Sequence, residues 1–234
     1  MVSNKPRCQC TPSCKRQPLP NSNSPFCNVH QSFCPRKAPL SGFEPDYDPE
    51  RWNSNTFIRK SHNCYMYALN IQDPVQIEKC MNTKDCNVPF DQPGNPSGHP
   101  KFTDRDPKTC PNLILRLKGD NPFHITPTRF EDRCPNGSSK IALIGDEDQD
   151  YHFLRQDSNG YFSQKSGSLP VSNVDASGRL IYDVALADHD WSIRGDPLHY
   201  DNFCGYFCVS RTNPYYVKSG GGYKKTRRQL RKRR

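Results

Sequence analysis

Asp150-Tyr151-His152-Phe153-Leu154-Arg155-Gln156-Asp157-Ser158-Asn159-Gly160-Tyr161-Phe162-Ser163-Gln164-Lys165 is the stretch whose reading decides the fold. Tyr151 to Gln156 and Gly160 to Lys165 carry strand signals, rich in aromatic residues and alternating in polarity. Asp157-Ser158-Asn159-Gly160 joins them as a hairpin turn, because Asn-Gly readily takes the positive φ that tight turns demand. His152 sits within an amphipathic strand, where a lone polar residue must face a cleft or another polar group. If the chain folds back at the turn, Gln164 lands on the neighbouring strand near His152. Its amide oxygen can then accept the imidazole N–H and fix the tautomer.

Further strand signals flank this hairpin at Lys140-Ile141-Ala142-Leu143-Ile144 and from Phe203 to Val209. Asp146-Glu147-Asp148-Gln149-Asp150 lacks the Gly and distal Glu of a calcium hand and reads as a solvated turn. Toward the N-terminus the periodicity changes. Cys64-Tyr65-Met66-Tyr67-Ala68-Leu69-Asn70 reads as a helical patch, and Asn112 to Lys118 as a second helix, with a Pro- and Gly-rich loop around Pro89 to Pro100 between them. Helices first and strands second indicate an α+β fold. With 22 Pro and 14 Gly and only 33% hydrophobic residues, a helical bundle is excluded.

A thiol hydrolase needs an ionisable cysteine, a histidine in hydrogen-bond reach, a polar group that orients the imidazole, and donors for an oxyanion. Ser61-His62-Asn63 precedes Cys64, and Ser or Asn can cap the helix that follows. A cysteine in the first turn is expected to have its pKa lowered by the dipole and by free backbone N–H groups. The ordered set is Cys64 as nucleophile, His152 as general base and Gln164 as the orienting group. His62 reads as a surface neighbour of the nucleophile, and His99, His124, His189 and His199 as structural or exposed.

Asn63-Cys64-Tyr65-Met66-Tyr67-Ala68, the His152 block from Asp150 to Tyr161, and Phe203-Cys204-Gly205-Tyr206 carry a resemblance over roughly residues 43 to 210. The pattern resembles the papain-like superfamily, specifically the NlpC-type peptidases and amidases. It is similar also to uncharacterised proteins of bacteria and large DNA viruses. The resemblance implies a papain-like core, with a Cys-bearing helix packed on an antiparallel sheet carrying the His, and cysteine-dependent cleavage of peptide or amide bonds. Many relatives carry His at the position of Gln164, followed by Lys-Pro-Gly in place of Lys165-Ser166-Gly167. Gln can orient an imidazole but cannot titrate.

The two ends differ from this body. Cys10-x3-Cys14-x12-Cys27-x2-His30 supplies two ligand pairs across a polar loop, a spacing that suits structural zinc. Cys8 could replace Cys10, Cys34 is a spare or alternative ligand, and a pair of disulfides or plain reduced surface thiols is the competing use of the same residues. Residues 1–42 are therefore read as a zinc-binding module and Pro-rich linker, 43–213 as the hydrolase domain, and 214–234 as a disordered Gly spacer and basic tail. The net charge of +9 resides at the ends: nine Lys/Arg from Lys218 onward and six up to Phe43, with no acid in either stretch. The remaining 18 bases face all 24 acids, so attraction to polyanions such as nucleic acid belongs to the termini, above all the tail. No apolar run suits a signal peptide or a membrane span, which points to a protein made and kept inside the cell, host cytoplasm or nucleus, or packaged in a virion. In such a compartment twelve cysteines favour metal ligation and catalysis over a disulfide framework, although a particle that leaves the cell could oxidise later. Core packing is the default for Cys204 and Cys208. The rival to the hydrolase is a structural or nucleic-acid-associated virion protein that keeps the scaffold and catalyses nothing.

Overall fold

Ile141-Ala142-Leu143-Ile144 is apolar at every position because both faces of its strand are covered. In the computed structural model, which describes residues 37–83, 86, 91–103, 105–120 and 124–212, this run lies in the middle of a six-stranded antiparallel sheet. Five helices come first: α1 (Pro49–Asn53), α2 (Thr56–Ser61), α3 (Cys64–Ala68), α4 (Pro74–Thr83) and α5 (Cys110–Asp120). The strands follow: β1 (Ile125–Thr128), β2 (Ser138–Asp146), β3 (Asp150–Gln156), β4 (Phe162–Lys165), β5 (Val171–Ser172) and β6 (Asn202–Ser210), in the spatial order β1-β6-β2-β3-β4-β5. The α+β reading stands, and the hairpin forms at the expected turn, with Gly160 at φ +83°.

Alternation along the strands divides the core. Ile141 and Leu143 of β2, Tyr151 and Phe153 of β3, and Phe207 and Val209 of β6 pack with Cys64, Tyr65, Leu113 and Leu117 of α3 and α5. On the other face Ala142, Ile144, Leu154, Phe162 and Tyr206 pack with Ile181, Val184 and Tyr200 from the long connection into β6. The helices α1, α2 and α4 and the strands β1 and β5 have no counterpart in the sequence reading. All are short apart from α4, where periodicity is weak evidence.

The compact body begins at Ala38, four residues before the boundary expected from the Pro-rich composition. Ala38 is 2% exposed. Gln156 Nε2 donates to its carbonyl at 2.8 Å, and Arg133 Nε donates to Leu40 O at 2.6 Å. An extended segment without helix or sheet bonds still needs partners for its carbonyls, and here side chains of the sheet and of the loop before it supply them.

The cysteines correct the sequence reading. Six of the seven described cysteines form disulfides: Cys80–Cys86, Cys110–Cys204 and Cys134–Cys208. Cys204 and Cys208, four apart in one strand, should share a face. However, the register runs from Leu143↔Gly205 to Ile144↔Phe203, leaving Cys204 as the extra residue of a bulge. The bulge turns Cys204 toward α5 and the cluster containing Leu113, while Cys208 stays on the face of Tyr206. The two cysteines therefore fasten opposite faces of β6, one to the start of α5 and one to the loop before β2.

Candidate functional site

Asn63 begins the site. Its Oδ1 accepts from Met66 N at 3.2 Å, capping α3, and its amide donates to Asp91 O at 3.0 Å. Cys64 is thereby fixed as the first helical residue. It is 5% exposed and, among the described residues, the free cysteine. The backbone N–H groups of Phe153 and Tyr65 are directed at its sulfur.

His152 lies on β3 one residue before Phe153, with its side chain on the face of Leu154. Its ring stacks on Tyr200, with centroids 5.6 Å apart and planes at 27°. Its Nε2 meets Gln164 Oε1 at 3.0 Å, as the hairpin argument required, because Leu154 pairs with Gln164 and places it diagonally beside His152. Gln164 Nε2 donates to Val174 O at 2.7 Å. That bond orients the amide so that its oxygen faces the ring. The imidazole must then carry its proton on Nε2, leaving Nδ1 as the basic nitrogen.

Cys64 and His152 line one cleft of about 570 Å³, with Asn63, Gln92, Phe102, Lys108, Asp150, Tyr151 and Tyr200. They reach it from opposite faces of β3. This is possible because β4 ends at Lys165 and its continuation, residues 166–169, turns away to form another part of the cleft wall. The edge of β3 around 150–152 is left open there.

Electrostatics depart from the expectation of a helix-activated thiolate. Burial pushes the Cys64 thiol up to about 12, with Asp150 adding to the effect and the Phe153 N–H opposing it. A helix of five residues offers a weak dipole against full desolvation. Burial, aided by His189, lowers His152 to about 3 against the gain from Gln164. The pair therefore rests as thiol and neutral imidazole, not as thiolate and imidazolium. His152 binds its proton near 6.5 when unfolded and near 3 when folded, so its contribution to stability grows from about pH 3 to pH 6.5 and is complete above. Urea titrations at several pH values should give a slope in this window that is shallower in His152→Gln by up to about 1.4 kcal/mol per pH unit. Equal slopes in variant and wild type would remove His152 as a buried neutral base.

His62 is wholly buried and not a surface neighbour. Its Nε2 accepts from Asp73 N at 2.8 Å and its Nδ1 meets Ile58 O at 3.1 Å. These bonds specify a neutral ring that ties α2 to the start of α4. Asp120 likewise ties the end of α5 to α3 and to the 94–97 loop: it accepts from Tyr65 OH at 2.9 Å, Gly94 N at 2.6 Å and Ser97 N at 2.9 Å. Gly94, at φ +91°, leaves no room for a Cβ, which would sit 2.8 Å from Arg116 Cγ.

Sequence reasoning did not single out Lys165, Asp150 or Tyr200. Lys165 had a signal, a lysine at an inward position of the hairpin; Tyr200, in an irregular segment remote in sequence, had none. Cys10, Cys14, Cys27 and His30, and the tail beyond residue 212, lie outside the described residues. Among the described residues no group of three or more His, Cys, Asp or Glu is placed to hold a metal ion, and no helix is long and apolar enough to cross a membrane.

No family model matches the chain, and no solved structure matches it. Among curated proteins, it is 34% identical over 165 residues to the insoluble matrix shell protein 1 of Ruditapes philippinarum, an alignment covering 70% of this chain and 88% of that protein.

Proposed function

The chain belongs to the family of that Ruditapes philippinarum shell matrix protein, and from this premise we propose that it is a disulfide-stabilised protein of an oxidising compartment carrying a cysteine-dependent hydrolase site, a peptidase or amidase built on Cys64, His152 and Gln164. One observation carries the reading. Among the described cysteines, every other one is paired, and Cys64 is left as a free thiol in the wall of a cleft that also carries a histidine with its basic nitrogen specified. A capped helix with the thiol at its start, packed on an antiparallel sheet that carries the histidine, is the arrangement of a papain-like core, and this is the finer fold reading we adopt. Three disulfides favour an oxidising compartment over the reducing cytosol.

In the mechanism, Cys64 Sγ attacks the carbonyl carbon while the thiol proton passes across the shared cleft to His152 Nδ1, so that no free thiolate needs to persist in a site that disfavours it. Gln164 keeps Nε2–H in place as the ring becomes charged. Backbone N–H groups at the start of α3 hold the oxyanion. The imidazolium returns its proton to the leaving amine, and water then releases the acyl group from sulfur.

Iodoacetamide labelling of the non-reduced chain, followed by peptide mass spectrometry, tests the pair. Labelling at Cys64 is expected to slow at least tenfold in His152→Ala and severalfold in Gln164→Ala, since a positioned base contributes factors of about 10² or more. Identical rates in all three proteins would sink the hydrolase. They would favour the second reading, supported by the relative's name and the disulfides, of a structural component of an insoluble matrix on the same scaffold.

The spacing of Cys10, Cys14, Cys27 and His30 supports a structural zinc in the N-terminal module. Metal analysis of the full chain should return about one zinc per molecule, falling toward none in Cys14→Ser. A zinc-free wild type would instead assign those cysteines to disulfides. The basic run from Lys224 to Arg234 supports non-specific attachment to polyanions, nucleic acid among them.

A further inference from the structure

Lys165 closes β4 with its side chain wholly buried. It shares a face with Ser163, whose hydroxyl meets Tyr67 OH of α3 at 2.6 Å, so it points toward the layer that bears Cys64. Its ammonium is held by three backbone carbonyls, those of Arg59, His62 and Gly167, each at 2.6 Å. Three acceptors call for three N–H donors, which only the charged form possesses; burial lowers the Lys165 pKa to about 7, so the cage is fully charged below that pH. A buried ammonium held by carbonyls rather than a carboxylate is costly, so its presence asks for a reason.

Two of the three bonds cap α2, because Arg59 lies in its last turn and His62 is its C-cap, where carbonyls lack helical partners. The third is different. Gly167 belongs to the 166–169 turn that lines the cleft, while His62 stands two residues before the thiol. One ammonium thus joins the segment that delivers Cys64 to a wall of the cleft. The charges around the sulfur add to the case. Asp150 from β3 disfavours a negative sulfur, and Lys165 from β4 favours it. Lys165 itself is faced by Arg59 and His62 from α2 and by Cys64 from α3.

We propose that Lys165 is a positioning residue of the Cys64 site, whose caged ammonium fixes the thiol-bearing segment against the cleft wall and serves as counter-charge when the sulfur becomes negative. The inference rests on the reading of Cys64 as a nucleophile. Its test reads the ionisation of the thiol and not turnover, so the two can fail separately.

Lys140 supplies the control, because its Nζ is caged in the same way by the carbonyls of Arg129, Phe130 and Asp132, on the other face of the sheet. In the full chain with disulfides intact, iodoacetamide labelling of Cys64 at pH 6, below the value of about 7 to which burial lowers Lys165, is expected to fall roughly tenfold in Lys165→Met, the equivalent of one pKa unit. Lys140→Met, which removes a similar cage, should leave the rate within twofold of wild type. Equal rates in both variants, or faster labelling in Lys165→Met than in Lys140→Met, would overturn the proposal. If Lys165→Met does not fold, the decision passes to the pH dependence of Cys64 labelling in the wild type between pH 5 and 9. Loss of the Lys165 proton near pH 7 should leave the rate at pH 9 at least threefold below the tenfold-per-unit rise extrapolated from pH 5 to 6, and an unbroken tenfold rise per unit would count against the coupling.

Discussion

Replacing Cys134 and Cys208 together by alanine is expected to lower unfolding stability by about 4 kcal/mol, and replacing Cys110 and Cys204 by a similar amount. Both bridges close long loops, 74 and 94 residues apart in sequence. In the chain-entropy account, a cross-link stabilises by removing conformations from the unfolded chain, and loops of this size correspond to between about 4 and 5 kcal/mol. Cys80–Cys86, with a separation of 6, should contribute only about 2 kcal/mol. The bulge at Cys204 makes the two long bridges independent, since one ties β6 to α5 and the other ties it to the loop before β2. Urea denaturation of each double variant, with the wild type as reference, reads the order directly. A Cys80/Cys86 variant that loses as much as the other two would show that native-state packing, and not loop closure, sets the effect. Because the three bridges leave Cys64 untouched, labelling of Cys64 in each folded variant also reports whether the cleft depends on them.

The second large effect is expected at Arg155→Met, a loss of between about 3 and 5 kcal/mol. Arg155 and Asp157 form an ion pair of 2.9 Å with side chains 1% and 0% exposed. The guanidinium also donates to Asp46 O at 3.1 Å and Asn70 Oδ1 at 2.9 Å and lies 4.0 Å from the centre of the Tyr67 ring. It therefore links the hairpin, the segment entering α1 and the end of α3 in one buried network. Methionine fills much of the volume but leaves the Asp157 carboxylate, already raised in pKa by desolvation, without its cation. Breaking one partner costs more than the pair contributes, because an uncompensated charge remains. For a chain of this size the midpoint of thermal unfolding should drop on the order of 10 °C. The double variant Arg155→Met/Asp157→Leu should recover part of the loss; a double variant worse than the single one would mean that the hydrogen bonds to Asp46 and Asn70, not the charge pair, carry the energy.

The hairpin at 150–165 illustrates what local chemistry can specify. Strand alternation and an Asn-Gly turn are properties of a few adjacent residues, so the face shared by His152 and Gln164 could be read from them, and the 3.0 Å contact between the two side chains followed. A helix starting at Cys64 behind a Ser or Asn cap was legible for the same reason, and the structure selects Asn63. The ionisation of Cys64 was not. A helix start argues for a lowered pKa, but the outcome depends on how much water the rest of the chain removes, and residues as remote as Tyr151 and Tyr200 seal the site.

The cysteines mark the same division. Composition and the assumed compartment pointed to thiols and metal, whereas pairing depends on which Cβ atoms meet in space. A single extra residue at Cys204 reversed the direction of one of them. By itself, then, the sequence determined the α+β order, the hairpin with its His152–Gln164 contact and the helix start at Cys64, because these rest on periodicity, capping and turn chemistry within a few residues. Only the tertiary structure decided that the thiol is held neutral, that Lys165 is caged beside it and which cysteines are bridged, because burial and long-range contact are set by segments far apart in the chain.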